Sequence, residues 1–313
     1  MKQGRREKSA AEYRKKNVWQ EKLFQFVLYA VFGLFTLICI YPFYYLFINS
    51  ISANNLSARG KIFLLPQGIH FENYVQIIQL PGLLHAAWIS LFRTVLGTLG
   101  TVLGSAFLGF MFTQENMWCR KFWYRFTIAT MYFSAGIIPW YLTMNNLGFT
   151  NNIWAYVIPA VVQPFNIILV KTYVESTPKE LQEAASMDGA GILQIFRRII
   201  LPLSKPILAT VSIFAAVGQW NSFQDTLILM TKEKCYTLQF ILYTYINQAS
   251  SLAQAIKSGQ GISGAQIADL TRTQTTTSVQ MTVAIIVVFP ILLVYPFFQR
   301  FFVKGVMIGS VKG

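Results

Sequence analysis

Long stretches of apolar residues alternate with shorter polar segments along the whole chain. An α-helix needs roughly 20 apolar residues to cross a bilayer core of about 30 Å. The pattern therefore predicts an all-α integral membrane protein with six transmembrane helices. These six predicted spans are residues 23–48, 88–112, 122–144, 152–172, 206–230 and 279–303.

Basic residues in the polar segments predict the direction in which the chain crosses the membrane. The 313 residues are 54% hydrophobic and 12% charged, with a formal net charge of +14. If the N-terminus is inside, 19 of the 26 Lys and Arg residues fall in inner segments and 6 in outer ones, as the positive-inside rule requires. We therefore expect a basic cytoplasmic tail at 1–22, a transmembrane domain at 23–303 and a cytoplasmic tail at 304–313. This distribution favours a topology signal over nucleic-acid binding.

Residues that could catalyse a reaction or hold a metal are sparse. Cys39, Cys119 and Cys235 are far apart and form no CxxC pair, and His70 and His85 lie outside any HExxH-like spacing. The chain also has no GxxxxGK[ST] phosphate-binding sequence. We therefore expect no catalytic activity, no metal site and no cofactor in this chain.

The predicted inner loop at 177–206 contains the most informative polar sequence. Thr177 and Glu180 have the spacing of a capping box, and Pro178 would occupy the first helical position. The loop therefore predicts a short helix that begins at Pro178. A glycine at position 189 would end this helix.

A second short amphipathic helix is predicted after Gly189 and Gly191. Its apolar positions are Ile192, Ile195, Phe196 and Ile199. Physical reasoning leaves two interpretations of the helix pair open. It could lie on the inner bilayer surface, or it could dock into a groove of a cytoplasmic protein.

The same loop resembles a known family. Glu183-Ala184-Ala185, Gly189, Ile199 and Leu201-Pro202 follow the spacing EAA-x3-G-x9-I-x-LP, which is similar to the EAA loop of ATP-binding cassette (ABC) importer permeases. Two flanking stretches resemble the sugar-importer permeases of the MalG-like branch, and within it the LplC-like permeases for complex oligosaccharides. These stretches are FSAGIIPWYLTMNNLGFTNNIWAYVIP and VGQWNSFQDTLILM.

This resemblance implies a type I ABC importer permease fold with a cytoplasmic coupling helix in the bacterial plasma membrane. It also implies a second, homologous permease subunit, two ATPase subunits that bind ATP and Mg²⁺, and an extracellular solute-binding lipoprotein. The transported solute would be an oligosaccharide. The residues expected to couple to the ATPases are Glu183, Ala184, Ala185, Asp188, Gly189, Leu201 and Pro202.

Polar and aromatic residues inside the predicted fourth and fifth spans are candidates for the substrate path. Amide side chains could bond sugar hydroxyls, and an indole could stack on a sugar ring. These groups could equally bond neighbouring helices. The candidates are Gln163, Asn166, Gln219, Trp220, Asn221, Gln224 and Asp225.

Arg93 in the second span and Asp225 in the fifth are the charged residues placed clearly inside predicted spans, away from their ends. Charged groups inside a membrane are costly and usually have a partner, so the sequence raises the hypothesis that they form an ion pair. Residues 231–278 form a long outer insertion, either a solvated segment or a small cap that contacts an external partner. The distribution of its polar residues does not decide between these.

Two other classes of function would leave different features in the sequence. A secondary carrier or channel would show internal repeats, paired broken helices and carboxylates for a coupling ion, and none is evident in the sequence. A membrane enzyme or scaffold would need a catalytic arrangement or a binding module of its own. The sequence therefore favours a permease subunit that contributes no catalysis.

Overall fold

The computed structural model describes residues 2–257 and 275–305, and its regular secondary structure in these ranges is entirely helical. The described residues belong to two compact units. The first runs to Asn73 and includes residues 275–285, and the second begins at Tyr74 and includes residues 286–305.

The first unit is dominated by α1 (Lys2–Ser50), whose apolar part, Glu21–Ser50, is long enough to cross a membrane. The short helix α2 (Asn54–Ala58) follows. A cluster of buried amides folds the chain after α1: Asn54 and Asn73 exchange two side-chain hydrogen bonds of 3.1 and 2.9 Å, and Asn73 donates a third to the backbone of Ser50. Buried amides need such partners, so this segment is ordered by specific bonds.

The second unit is built around one long helix, α4 (Leu83–Met111), against which α7 and α11 pack. The packing is close at Gly104, where an added Cβ would lie 2.5 Å from the carbonyl oxygen of Val161. The α-helices that follow α2 within the described residues are α3 (Glu72–Ile78), α4 (Leu83–Met111), α5 (Arg120–Thr130), α6 (Ile137–Asn146), α7 (Pro164–Glu175), α8 (Glu180–Met187), α9 (Ile192–Ile195), α10 (Leu201–Leu203), α11 (Lys205–Asn221), α12 (Gln224–Leu229), α13 (Leu238–Lys257) and α14 (Thr276–Gly305).

Four of the six predicted spans are confirmed as long apolar helical segments. They are Glu21–Ser50, Leu83–Met111, Ile153–Glu175 and Thr276–Val294. The third of these begins with two 3₁₀ turns before α7. A bent pair, Ile192–Leu203 with Lys205–Asn221, forms a fifth candidate with an angle of 79°.

The prediction of one continuous helix is wrong for residues 122–144. That stretch contains α5 and α6, which are separated by an irregular segment ending at Gly136 with φ of 84°. Only a glycine adopts this non-helical backbone conformation readily. It separates α5 from α6, which begins at the next residue. Hydropathy measures apolar length and is insensitive to such a break.

One continuous helix is also wrong for residues 206–230. The helix α11 ends at Asn221, Ser222 is extended with ψ of 128°, and α12 begins at Gln224. Side chains rather than proline cause this break, because the hydroxyl of Ser222 bonds the carboxylate of Asp225 at 2.9 Å. Such local bonds compete with the helical backbone.

The predicted capping box is wrong as well. The helix α8 begins at Glu180 after Lys179, with no side-chain cap. The hydroxyl of Thr177 instead donates to the carbonyl of Tyr173 at the end of α7, at 3.3 Å. The Thr177 hydroxyl is therefore bound to α7 and does not cap α8.

Candidate functional site

A cavity of about 630 Å³ lies within the second unit. Its wall is formed by α4, α6, the 3₁₀ segment before α7, α7 itself, α11 and the start of α12. The wall combines aromatic rings with hydrogen-bonding groups, as ligand sites commonly do. The aromatic and polar residues that line it are Arg93, Thr101, Trp140, Tyr156, Gln163, Phe165, Asn166, Phe214, Gln219, Ser222 and Asp225.

Four of the seven predicted path residues line this cavity: Gln163, Asn166, Gln219 and Asp225. The other three do not. The indole of Trp220 donates to the carbonyl of Val287 at 3.1 Å and lines a separate apolar groove. Asn221 and Gln224 are exposed outside the cavity. Sugar contact by these three residues stays a prediction from the sequence.

Two amides in the wall are available to a ligand. Neither Gln163 nor Asn166 makes a side-chain hydrogen bond within the part of the chain that the structure describes, although Asn166 is only 7% exposed. Gln163 is the extended residue directly before α7, and Asn166 lies in the first turn of that helix; both line the cavity. The rings of Phe165 and Phe214, each about half exposed, lie in the same wall.

The ion pair proposed from the sequence is confirmed. Arg93 Nη2 lies 2.6 Å from Asp225 Oδ2, and the Arg93 side chain is 2% exposed. The guanidinium makes five hydrogen bonds in all: two to Asp225, two to Gln219 Oε1 and one to the carbonyl of Ser222. Because arginine has five N–H groups, its donors are fully used and its charge is balanced.

This arrangement also fixes the break between α11 and α12. The break leaves the Ser222 carbonyl without a helical hydrogen bond, and Arg93 donates to this carbonyl at 3.2 Å. Asp225 Oδ1 accepts from the backbone N–H of Thr226 at 3.1 Å. The Asp225 carboxylate thus binds both Arg93 and the start of α12. Because Arg93 belongs to α4, this helix holds the break between α11 and α12 in place.

Tyr156 completes the wall beside Arg93, and sequence reasoning missed it. Its ring lies 4.4 Å from the guanidinium carbon, a cation–π distance. Its hydroxyl donates to the carbonyl of Cys235 at 2.7 Å, and Gln219 Nε2 donates to the Tyr156 carbonyl at 3.2 Å. Tyr156 comes from a different segment than Arg93 and Asp225, so no sequence spacing could have linked them.

The loop at residues 177–206 forms a second candidate site. Glu183, Ala184 and Asp188 are exposed on or next to α8. The helix ends in a Schellman motif: Ala190 N–H bonds the carbonyl of Ala185 at 2.9 Å, and Gly189 N–H bonds that of Ser186 at 3.0 Å. Gly189 has φ of 79°, which this motif requires of the residue after the cap.

The loop is anchored to the membrane helices from one side. Ala185 and Ala190 pack against a buried cluster that includes Phe110, Val170 and Val211. Gln114 after α4 donates to Gln182 of α8 at 3.1 Å. Leu201 is half-buried, while Pro202 is exposed. The outer face of α8 is therefore presented on a support that belongs to α4, α7 and α11.

Together these features define a multi-pass helical membrane protein with a polar cavity and a short helix exposed on a loop. The chain belongs to the family described as binding-protein-dependent transport system inner membrane component, which matches residues 100–308. The resemblance stated from the EAA loop is thus confirmed. Members of this family work with ATPase and solute-binding partners, and the chain is a non-catalytic permease component of an ABC transporter.

Individual relatives are similar to this chain over nearly its whole length. Protein LplC of Bacillus subtilis is 33% identical, over 88% of this chain and 90% of its own length. The polygalacturonan/rhamnogalacturonan transport system permease protein YtcP of the same organism is 31% identical, over 94% of this chain and 100% of its own length. A crystal structure of a bacterial ABC transporter that imports the acidic polysaccharide alginate contains a chain with a TM-score of 0.75 and 28% identity, covering 90% of this chain and 98% of that one.

Proposed function

We propose that this chain is the permease subunit of an ATP-driven, binding-protein-dependent importer that moves an oligosaccharide inward across the bacterial plasma membrane. The observation that carries the proposal is the cavity wall, in which the free amides of Gln163 and Asn166 lie beside exposed aromatic rings. Aromatic faces and amides together suit the apolar faces and hydroxyl groups of sugars. The named substrates of the relatives, polygalacturonan, rhamnogalacturonan and alginate, support the same class.

The whole importer tests this function. The chain would be reconstituted in proteoliposomes with its second, homologous permease, two ATPase subunits and the binding protein. We expect uptake of an oligosaccharide that requires ATP, Mg²⁺ and the binding protein. ATP-independent uptake by the purified chain alone would instead identify a secondary carrier.

Replacing either free amide, Gln163→Ala or Asn166→Ala, is expected to raise the KM for the transported sugar. Each change removes hydrogen bonds to hydroxyls, worth about 1 kcal/mol and therefore roughly a fivefold to tenfold loss of affinity. Neither amide bonds another described side chain, so the fold should be unaffected. The measurement is uptake as a function of sugar concentration.

A matched amide outside the cavity serves as the control for that experiment. Gln224 is exposed, and Gln224→Ala should leave KM unchanged if the cavity wall makes the contacts. An equal increase at Gln224 would support the contact predicted from the sequence. Unchanged KM in both cavity variants would contradict the assignment of the cavity.

The exposed face of α8 is the proposed contact with the ATPases. Leu181 and Met187, 44% and 89% exposed, flank Ala184 on a helix that also presents Glu183. An amphipathic helix that inserts such residues into a groove is a common mode of recognition. ATP binding would close the ATPase pair and move α8 with its support, which shifts the cavity between its two openings.

The proposed topology has six spans with both termini in the cytoplasm. In it α5 and α6 together form the third span, and α11 with α12 forms the fifth, each broken once. The basic N-terminal tail supports this orientation. We expect green fluorescent protein to fluoresce when fused to either end, and alkaline phosphatase to be inactive there. An active phosphatase at one end would mean an odd number of crossings.

A further inference from the structure

A second groove, of about 680 Å³, lies along α13 in the segment that the sequence places on the outer side. It shares no lining residue with the cavity described above. Its lining contains no Lys, Arg, Asp, Glu or His. The groove is lined by Leu227 of α12 and by Phe240, Tyr243, Thr244, Asn247, Gln248 and Ser251 of α13.

The polar groups of this groove follow the helix in rows. Tyr243, Asn247 and Ser251 are each four residues apart, so they lie above one another on one face. Successive members are separated along the helix axis by four residues of about 1.5 Å each, about 6 Å in all, which is comparable to the length of one sugar unit in an extended chain. The arrangement repeats hydrogen-bonding groups at the interval of a linear glycan.

Most of the hydrogen-bonding groups in this groove are not used by the fold. Tyr243, Asn247 and Gln248 are exposed, and none makes a side-chain hydrogen bond to a group whose position the structure describes. Thr244 differs, because its hydroxyl donates to the carbonyl of Phe240 at 2.8 Å. Three donors and acceptors are therefore open to a ligand at the surface of α13.

Aromatic rings give the groove a rigid apolar surface. The ring of Tyr243 stacks on Phe223 with a centroid distance of 4.4 Å, and Tyr236 meets Phe240 edge to face at 4.6 Å. Phe223 lies in the break between α11 and α12. The position of Tyr243 is thus fixed by the same discontinuity that Arg93 stabilises.

We propose that the groove along α13 is a second sugar-binding site, which holds an uncharged stretch of an extended oligosaccharide outside the main cavity. This inference rests on the proposed function. Exposed asparagine and glutamine on a lipid-facing surface would lose their hydrogen bonds to water, so lipid is a poor occupant of this face. A sugar chain satisfies both the amides and the rings.

The test compares short and long substrates in the complete importer. The triple variant Tyr243→Ala, Asn247→Ala, Gln248→Ala would be assayed with a neutral disaccharide and hexasaccharide of the same sugar, taken in parallel from arabinose, xylose and glucose series. We expect KM for the hexasaccharide to rise about tenfold, while KM for the disaccharide stays at the wild-type value. Gln79→Ala, an exposed amide in the preceding outer segment, should change neither.

The possible outcomes separate this inference from the proposed function. Failure of the wild-type importer to take up any oligosaccharide, from these neutral series or from an acidic galacturonate series, would contradict the function itself. Normal uptake of both lengths by the triple variant would overturn the second site alone. An equal loss for both lengths would identify the face as a contact with the binding protein or the second permease, which also overturns it.

Discussion

Arg93→Ala is expected to abolish uptake and to lower the stability of the purified chain by about 3–5 kcal/mol, the usual cost of removing one member of a buried ion pair. The substitution leaves the carboxylate of Asp225 without its partner, 2.6 Å away in the wild type. It also removes both bonds to Gln219 and the bond to the Ser222 carbonyl. The measurements are Tm in detergent and ATP-driven uptake.

The loss of transport should exceed the loss of folded protein. Arg93 and Gln219 both line the main cavity, and the Arg93 bonds fix the discontinuity between α11 and α12. Without the guanidinium, α12 loses its tie to α4, and the wall that contains Asp225 loses its defined position. The residual folded importer should therefore bind its substrate poorly.

Two controls separate pairing from simple loss of bulk. The double variant Arg93→Met, Asp225→Leu removes both charges and should be more stable than either single alanine variant, because no buried charge is left unpaired. Arg59→Ala, at an exposed arginine in the first unit, should have no effect. Independent, additive effects at positions 93 and 225 would contradict the pair, since contacting residues show a coupling energy.

The sequence predicted the existence of this pair but not its role. Two ionisable groups in apolar stretches are expected to meet, because an isolated charge in a membrane is costly. The additional bond to Ser222 depends on the break in the fifth span, and the apolar pattern continues through that break. A pattern of hydropathy therefore found the partners and missed the geometry.

The candidate cavity shows a similar limit. Gln219 and Trp220 are adjacent in sequence, and adjacent residues point about 100° apart on a helix with 3.6 residues per turn. Only Gln219 reaches the cavity, while Trp220 faces α14 and bonds Val287. The rotation of α11 is set by packing on α4, where Gly97 leaves room for the Gln219 side chain: an added Cβ would lie 2.6 Å from Gln219 Nε2.

The inner loop was more predictable because its signals are local. Gly189 was expected to end the first short helix, and its φ of 79° shows why a glycine stands there. The start of the same helix was predicted wrongly, since the Thr177 hydroxyl had a competing acceptor in Tyr173. That acceptor lies near the end of α7, so a bond to the preceding helix prevents Thr177 from capping α8.

Gly189→Pro is expected to reduce uptake strongly while the membrane helices stay folded. Proline fixes φ near −65° and lacks an N–H, whereas Gly189 has φ of 79° and donates to Ser186 at 3.0 Å. The Schellman motif would be lost, and with it the angle between α8 and α9. We expect at least a tenfold fall in uptake, together with reduced co-purification of the ATPase subunits.

The expected loss of uptake comes from the backbone conformation at Gly189 and not from a steric clash of the new side chain. Two variants test this cause. An added Cβ at Gly189 or Gly191 meets no atom within 4 Å. Gly191 has φ of −70°, so Gly191→Ala should transport normally. Gly189→Asn should retain more uptake than Gly189→Pro, because asparagine tolerates the left-handed region. Wild-type uptake by Gly189→Pro would mean that the orientation of α8 does not control transport, and the proposed contact with the ATPases would then have to lie elsewhere.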